Sequence, residues 1–233
     1  FNSVLVFEVF NNNLVNFIVT TILFILIINS MNLIDGVDGL SVSLLLVFTI
    51  FALFVSLYVP ILDSKYYIVI TIFLGSFVTF LLLNFPPAKI FLGDTGSQLL
   101  GWIFALFVTY FSSYFDYPSQ KLYVLSFVSL PFYDVFFVMF KRFYLSNSSL
   151  FKRIVRIVEP DQNHIHHLLI KSNFSHRDCT LLLVSFYFLC LSISIIPILI
   201  ERFYLLIFVV VLVLNILFRI FFEFKSNLDN EVK

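Results

Sequence analysis

Asn32-Leu33-Ile34-Asp35-Gly36-Val37-Asp38-Gly39 decides how this chain is read. An apolar stretch of roughly 17 residues precedes it and one of about 20 follows, each near the length that crosses a bilayer as a helix. Between them sit two carboxylates and two glycines. Driving an acid to the bilayer centre costs roughly 2.5–3.5 kcal/mol, so two acids at the edge of spanning segments point to use rather than accident. Spaced three apart, Asp35 and Asp38 would face the same way on one turn of helix. That arrangement suits a cation, or a phosphate-bearing ligand held through a cation. The bland reading is a polar turn between helices with Asp as its cap.

The rest of the chain agrees with a membrane setting. Of 233 residues, 61% are hydrophobic and 12% charged, and the mean hydropathy is +1.03. A soluble domain does not have this composition. The apolar residues fall in long blocks, which predicts an all-α, polytopic membrane bundle. Seven spans are expected, at about 14–31, 39–59, 66–84, 98–115, 121–140, 179–200 and 203–222. A polar, disordered tail is expected at 224–233, after a transmembrane domain of 1–223. Net charge is zero, and no basic stripe with interleaved aromatics suggests nucleic acid. The 33 phenylalanines read as lipid-facing and core-filling, and Cys179 and Cys190 as small buried hydrophobes. The chain opens on Phe1, and the expectation is a true start further upstream.

Seven spans put the ends on opposite sides. Of the 14 Lys and Arg residues, 11 then fall on one side: Lys89, Lys141, Arg142, Lys152, Arg153, Arg156, Lys171, Arg177, Arg219, Lys225 and Lys233. Lys65, Lys121 and Arg202 fall on the other. The positive-inside rule places the larger set in the cytoplasm. The Asp35/Asp38 island, the loop around Asp94 and the long 141–178 loop share that side.

Three further segments carry chemistry. Asn84-Phe85-Pro86-Pro87-Ala88-Lys89-Ile90-Phe91-Leu92-Gly93-Asp94-Thr95-Gly96-Ser97 sets a carboxylate between glycines at the start of a span. Free helix N-terminal amides and hydroxyls favour an anion; the acid asks for a cation, and a magnesium-bridged phosphate satisfies both. A capped helix start after a Pro-Pro breaker is the alternative. Pro160-Asp161-Gln162-Asn163-His164-Ile165-His166-His167 holds three of the four histidines, all read as lying in a solvated loop. It is either a transition-metal site or a phosphate site with acid–base capacity. Lys171 and Arg177 close behind favour phosphate. Pro131-Phe132-Tyr133-Asp134 places an acid inside a span, with Lys141 two turns on along the same face. Structural pairing with Lys141 and a functional role both stay open.

Together the strings NLIDGVDGLS, NFPPAKIFLGDTGS, PFYDVFFVMFKR and PDQNHIHHLLIKSNFSHR, in this order, resemble the polyprenyl-phosphate sugar-1-phosphate transferases, the glycosyltransferase 4 family. The resemblance runs from about Asn29 to Arg177. It implies transfer of a sugar-1-phosphate from a UDP-sugar to undecaprenyl phosphate with release of UMP, using Mg2+ with Mn2+ left open as a substitute. The partners are then a UDP-N-acetylhexosamine, undecaprenyl phosphate and the bilayer, with a homodimer left open. The setting is the bacterial cytoplasmic membrane, with the site facing the cytoplasm. By the same resemblance Asp35, Asp38, His164, His166 and His167 are catalytic, Asn32, Asn84, Lys171 and Arg177 bind substrate, and Asp94 is the metal ligand. His-x-His-His resembles the UDP-N-acetylglucosamine branch. The MurNAc-pentapeptide branch, with three consecutive histidines that Ile165 here interrupts, is the close alternative. A transporter and an inactive scaffold are the alternatives from other classes. The family carries an Asp-Asp pair upstream of the Asn32 region that this sequence lacks, where only Glu8 is acidic. The expectation is a missing portion of about four spans, and a chain 1–233 that alone is inactive.

Overall fold

The computed structural model describes residues 9–56, 64–145 and 163–231. Its helices run in chain order as α1 (Asn13–Ile34), α2 (Leu40–Ser56), α3 (Ser64–Asn84), α4 (Gly93–Ser112) and α5 (Pro118–Tyr123). A 3-10 turn (Val124–Val128) leads into α6 (Ser129–Leu145). Then come α7 (Ile165–Lys171), α8 (His176–Ser194), α9 (Ile196–Ile200) and α10 (Tyr204–Glu231). No strand is present among the described residues. This is the all-α bundle that the apolar blocks predict, because in lipid a helix satisfies its own backbone polar groups. Polar side chains inside the helices follow the same logic: Thr20 and Thr49 each donate to the carbonyl four residues back, at 2.7 and 2.6 Å.

Five helical stretches are long and apolar enough to cross a membrane: Asn13–Ile34, Tyr67–Asn84, Pro118–Tyr144, His176–Ile200 and Tyr204–Asp229. Seven were expected. The other two are also helices. α2 is described over 17 residues, Leu40–Ser56, and residues 57–63 that follow it lie outside the described ones. α4 spends its first turns on Gly93, Asp94, Thr95, Gly96, Ser97 and Gln98. The last helix differs from expectation in the other direction. It runs unbroken to Glu231, so 224–231 is helix rather than a disordered tail.

The core joins α1, α2, α4, the 3-10 turn and α8. Phe48 of α2 meets Phe104 and Phe107 of α4 at ring-centroid distances of 4.8 and 5.7 Å, and Phe127 of the 3-10 turn at 6.3 Å. Other phenylalanines, such as Phe54, Phe136, Phe188 and Phe221, stand exposed on outer faces. That division matches the expected lipid-facing and core-filling roles. Cys179 and Cys190 are buried and free, as expected of small hydrophobes. α1 packs closely on α4, where a Cβ placed on Gly101 would lie 2.6 Å from Ile28 Cα. Small residues of this kind let membrane helices approach. α10 lies against α5, α6, α7 and α8, so the last span meets the elements that carry Asp134 and the histidines.

Candidate active site

α1 stops at Ile34, and Asp35 to Gly39 make two successive turns before α2 begins. Asp35 and Asp38 are therefore brought together by turns rather than by the helical register expected of them. Gly39 makes the second turn possible with φ of +73°, a conformation that L side chains rarely adopt. A Cβ there would also lie 3.2 Å from Phe85 Cα, where the end of α3 presses on the island. From the same connection the Ala88 amide donates to Asp38 Oδ2 at 3.3 Å, and the Thr180 hydroxyl of α8 donates to the Asp38 carbonyl at 2.9 Å.

The α3–α4 connection completes the enclosure. Asn84 ends α3, and its amide Nδ2 donates to the Ile90 carbonyl at 2.8 Å. Its Oδ1 is buried with no hydrogen-bond partner. Asp94 stands exposed in the first turn of α4. Ser97, one turn on, accepts from Asn32 Nδ2 at 2.8 Å and so ties α1 to α4. The result is one polar cavity of about 300 Å³ lined by Asn32, Asp35, Asp38, Asn84, Asp94 and Ser97, with Phe91 as its aromatic wall. Five residues singled out from two stretches of sequence thus share one space.

The charges in that space oppose one another. Burial pushes the Asp35 carboxyl up to about 6. The Ser41 hydroxyl, which donates to Asp35, works against this, and the Asp38 and Asp94 carboxylates raise it further. A cluster of acids that repel each other around an open polar cavity has the donor chemistry of a hard divalent cation. Among the described residues, no three His, Cys, Asp or Glu side chains are placed to hold a metal between them. Magnesium does not require three. It keeps several waters and uses one or two carboxylates together with substrate phosphates, and Asp94 with one of its acidic neighbours fits that pattern.

The histidines lie differently from the solvated loop expected. Pro160, Asp161 and Gln162 are outside the described residues, but His164 caps the short helix α7, and His164 and His166 are buried. His164 Nδ1 lies 2.9 Å from Asp134 Oδ2, and the Ile165 amide donates to Asp134 Oδ1 at 3.0 Å. Arg219 of α10 donates to the same carboxylate and to the Asn163 carbonyl. Asp134 thus pairs with His164 and Arg219. Lys141, which the helical spacing had offered as its partner, pairs instead with Glu223 of α10. The His164 and His166 rings are parallel, 6.1 Å apart, and His167 lies 4.1 Å from His166.

His166 links the histidines to the acidic island. Its Nε2 occupies the space where a Cβ on Gly36 would sit, so Gly36 must lack a side chain for the two segments to meet. His166 is 1% exposed, and its Nδ1 has no hydrogen-bond partner. Burial, reinforced by the neighbouring His167, drops its pKa from an ordinary 6.5 to about 3, with Asp134 acting in the opposite sense. The ring is therefore neutral at physiological pH. Lys171, in the last turn of α7, and Arg177, in the first turn of α8, are exposed and do not line the cavity. Ser97, Phe91, Thr180 and Arg219 were not singled out from sequence. For Arg219 a signal existed, since it is a cation inside the apolar run Leu214-Asn215-Ile216-Leu217-Phe218-Arg219-Ile220-Phe221.

Comparison with known proteins bears on the same segments. Residues 1–112 match glycosyl transferase family 4, a stretch that contains every acid of the cavity and ends before the histidines. The chain is 33% identical over 108 residues to a probable undecaprenyl-phosphate N-acetylglucosaminyl 1-phosphate transferase of Bacillus subtilis. That match covers 45% of this chain and 27% of the relative. An undecaprenyl-phosphate alpha-N-acetylglucosaminyl 1-phosphate transferase of Thermotoga maritima is 30% identical over 146 residues, covering 61% of this chain and 43% of the relative. The enzyme of the same name from Haemophilus influenzae is 26% identical over 125 residues, 52% of this chain and 33% of the relative. The chain spans less than half the length of these relatives.

Proposed function

We propose that this chain, whose residues 1–112 match glycosyl transferase family 4, transfers GlcNAc-1-phosphate from UDP-GlcNAc to undecaprenyl phosphate and releases UMP. The observation that carries the reading is the single polar cavity that gathers Asn32, Asp35, Asp38, Asn84 and Asp94. A nucleoside diphosphate sugar brings two phosphates, a base and a sugar to one place. The cavity offers acids that can meet phosphates through a cation, amides that can meet hydroxyls, and the exposed Phe91 ring as a stacking face. The names of the relatives supply the donor and acceptor by analogy. The excess of Lys and Arg on the side that holds these segments supports a cytoplasmic orientation in the bacterial inner membrane.

In this reading Asp94 is the principal magnesium ligand, with Asp35 and Asp38 beside it. Bound magnesium would neutralise pyrophosphate oxygens and favour attack at the β-phosphorus. An oxygen of the lipid phosphate forms a new bond to that phosphorus as the bond to the α-phosphate oxygen breaks, and UMP leaves with the electron pair. The protein's own part is mainly positioning and charge stabilisation. Asn32, held by Ser97, and Asn84, with its unpartnered Oδ1, orient hydroxyl or amide groups of the donor. His166 is neutral, buried and pressed on the island at Gly36, so it braces the acidic turn without lining the cavity. His164 and His167 flank it. Lys171 of α7 and Arg177 of α8 lie outside the cavity and are the weaker members of the set.

The test is exchange of labelled UMP into UDP-GlcNAc by the protein expressed from its complete reading frame, in micelles with undecaprenyl phosphate. Exchange that needs both the lipid and magnesium is the expected result. Asp94→Asn should lower it by about 100-fold or more and abolish its magnesium dependence. Exchange at the parent rate in Asp94→Asn would remove Asp94 from the metal site. No exchange by the parent protein with any UDP-N-acetylhexosamine would overturn the transfer reading.

A further inference from the structure

Asp134 and Arg219 are both buried charges inside apolar spans, on α6 and α10. Charges in such places are expensive and are kept where they pair. The pairing here does more than neutralise. Asp134 accepts from three donors: the Ile165 amide and Arg219 on Oδ1, and His164 Nδ1 on Oδ2. An ionised carboxylate can only accept, so the hydrogen between it and His164 sits on Nδ1. In the neutral ring the other nitrogen, Nε2, is then left as an acceptor. The second arm of the Arg219 guanidinium grips the Asn163 carbonyl, immediately before His164. Its plane lies over the Phe137 ring, 4.6 Å from centroid to Cζ. One side chain from the last span thereby fixes both the carboxylate that orients His164 and the backbone that leads into it.

We propose that Arg219 is a positioning residue for the histidine motif. Through Asp134 it sets the tautomer and direction of His164, and through Asn163 it seats the start of α7 against the bundle. α10 is then part of the donor site although it lends no side chain to the polar cavity. The consequence for turnover rests on the reading of the histidine motif as part of the transferase site; the consequence for the tautomer does not. A planar fork makes both contacts at once, which a lysine cannot do.

The experiment reads histidine side-chain 15N NMR in lipid nanodiscs at mildly alkaline pH, with His164→Gln to assign the signal, alongside exchange kinetics. Arg219→Met leaves Asp134 buried without its cation and risks misfolding. Arg219→Met with Asp134→Leu removes both charges together and preserves apolar packing. In the parent protein His164 should show the Nδ1–H tautomer. In the double variant that signature should be lost, and KM for UDP-GlcNAc should rise about tenfold or more while KM for undecaprenyl phosphate stays unchanged. Arg219→Lys should keep the signature and recover part of the loss relative to Arg219→Met. A parent-like tautomer or donor KM in the double variant would overturn the proposal, as would a lysine variant no better than the methionine one. A parent protein with the expected tautomer but no exchange would count against the transfer reading alone.

Discussion

At the scale of single residues, Gly36 and His166 make the joint on which the site depends. A Cβ on Gly36 would collide with the His166 ring, and that ring is enclosed by His164 and His167. We expect Gly36→Ala to displace His166 and lower kcat/KM by roughly 10–100-fold, since misplacements near 1 Å cost about that much. The protein should still fold, because the clash is with one side chain rather than backbone. Parent-like kinetics in Gly36→Ala would separate His166 from the site. His166 also makes a statement about pH. Its folded pKa of about 3 lies below the ordinary 6.5. Between those values the unfolded chain takes a proton that the folded one refuses, so stability falls as pH drops from 6.5 toward 3. The full effect is on the order of a few kcal/mol. Melting curves in detergent should show a smaller acid loss for His166→Gln than for the parent; parallel curves would contradict the burial argument. The residues themselves were readable in the sequence, because acids and clustered histidines stand out in an apolar chain. Their contacts were not. Nothing in local spacing says that His166 would touch Gly36, 130 positions away, or that Asp134 would choose Arg219 over Lys141.

At the scale of elements, the bundle is held by close approaches that lipid does not drive. α1 meets α4 at Ile28 and Gly101 with backbone in the way of any added carbon. Gly101→Ala should therefore cost about 1–3 kcal/mol and lower the melting temperature. It should also loosen the Asn32–Ser97 contact on the same pair of helices, with a matching fall in donor affinity. An unchanged melting temperature would mean that the helices separate more easily than this packing implies. Element type was legible from the apolar blocks, since long runs without charge leave only helices. Span number was less so. Five of the seven expected spans are described as helical stretches long and apolar enough to cross, while α2 is described only as far as Ser56 and α4 gives its opening turns to the site. The continuation of α10 to Glu231 was hidden for a related reason. Its polar end looks like a tail by composition, although Glu223 pairs with Lys141 and Lys225 lies 4.7 Å over the Phe174 ring.

At the scale of the whole molecule, three segments far apart in sequence converge at one end of the bundle. The island between α1 and α2 and the loop before α4 enclose the acids, and the histidine helix α7 closes on the island at Gly36. The arrangement leaves a divalent cation and a diphosphate as natural complements. Soaking crystals of the protein with Mn2+ and UDP-GlcNAc, and locating the metal by its anomalous scattering, tests this directly. The account predicts a manganese peak beside Asp94, with Asp35 and Asp38 facing it and the diphosphate on its open side. A peak among the histidines, or a nucleotide bound away from the Asn32–Asp94 cavity, would contradict it.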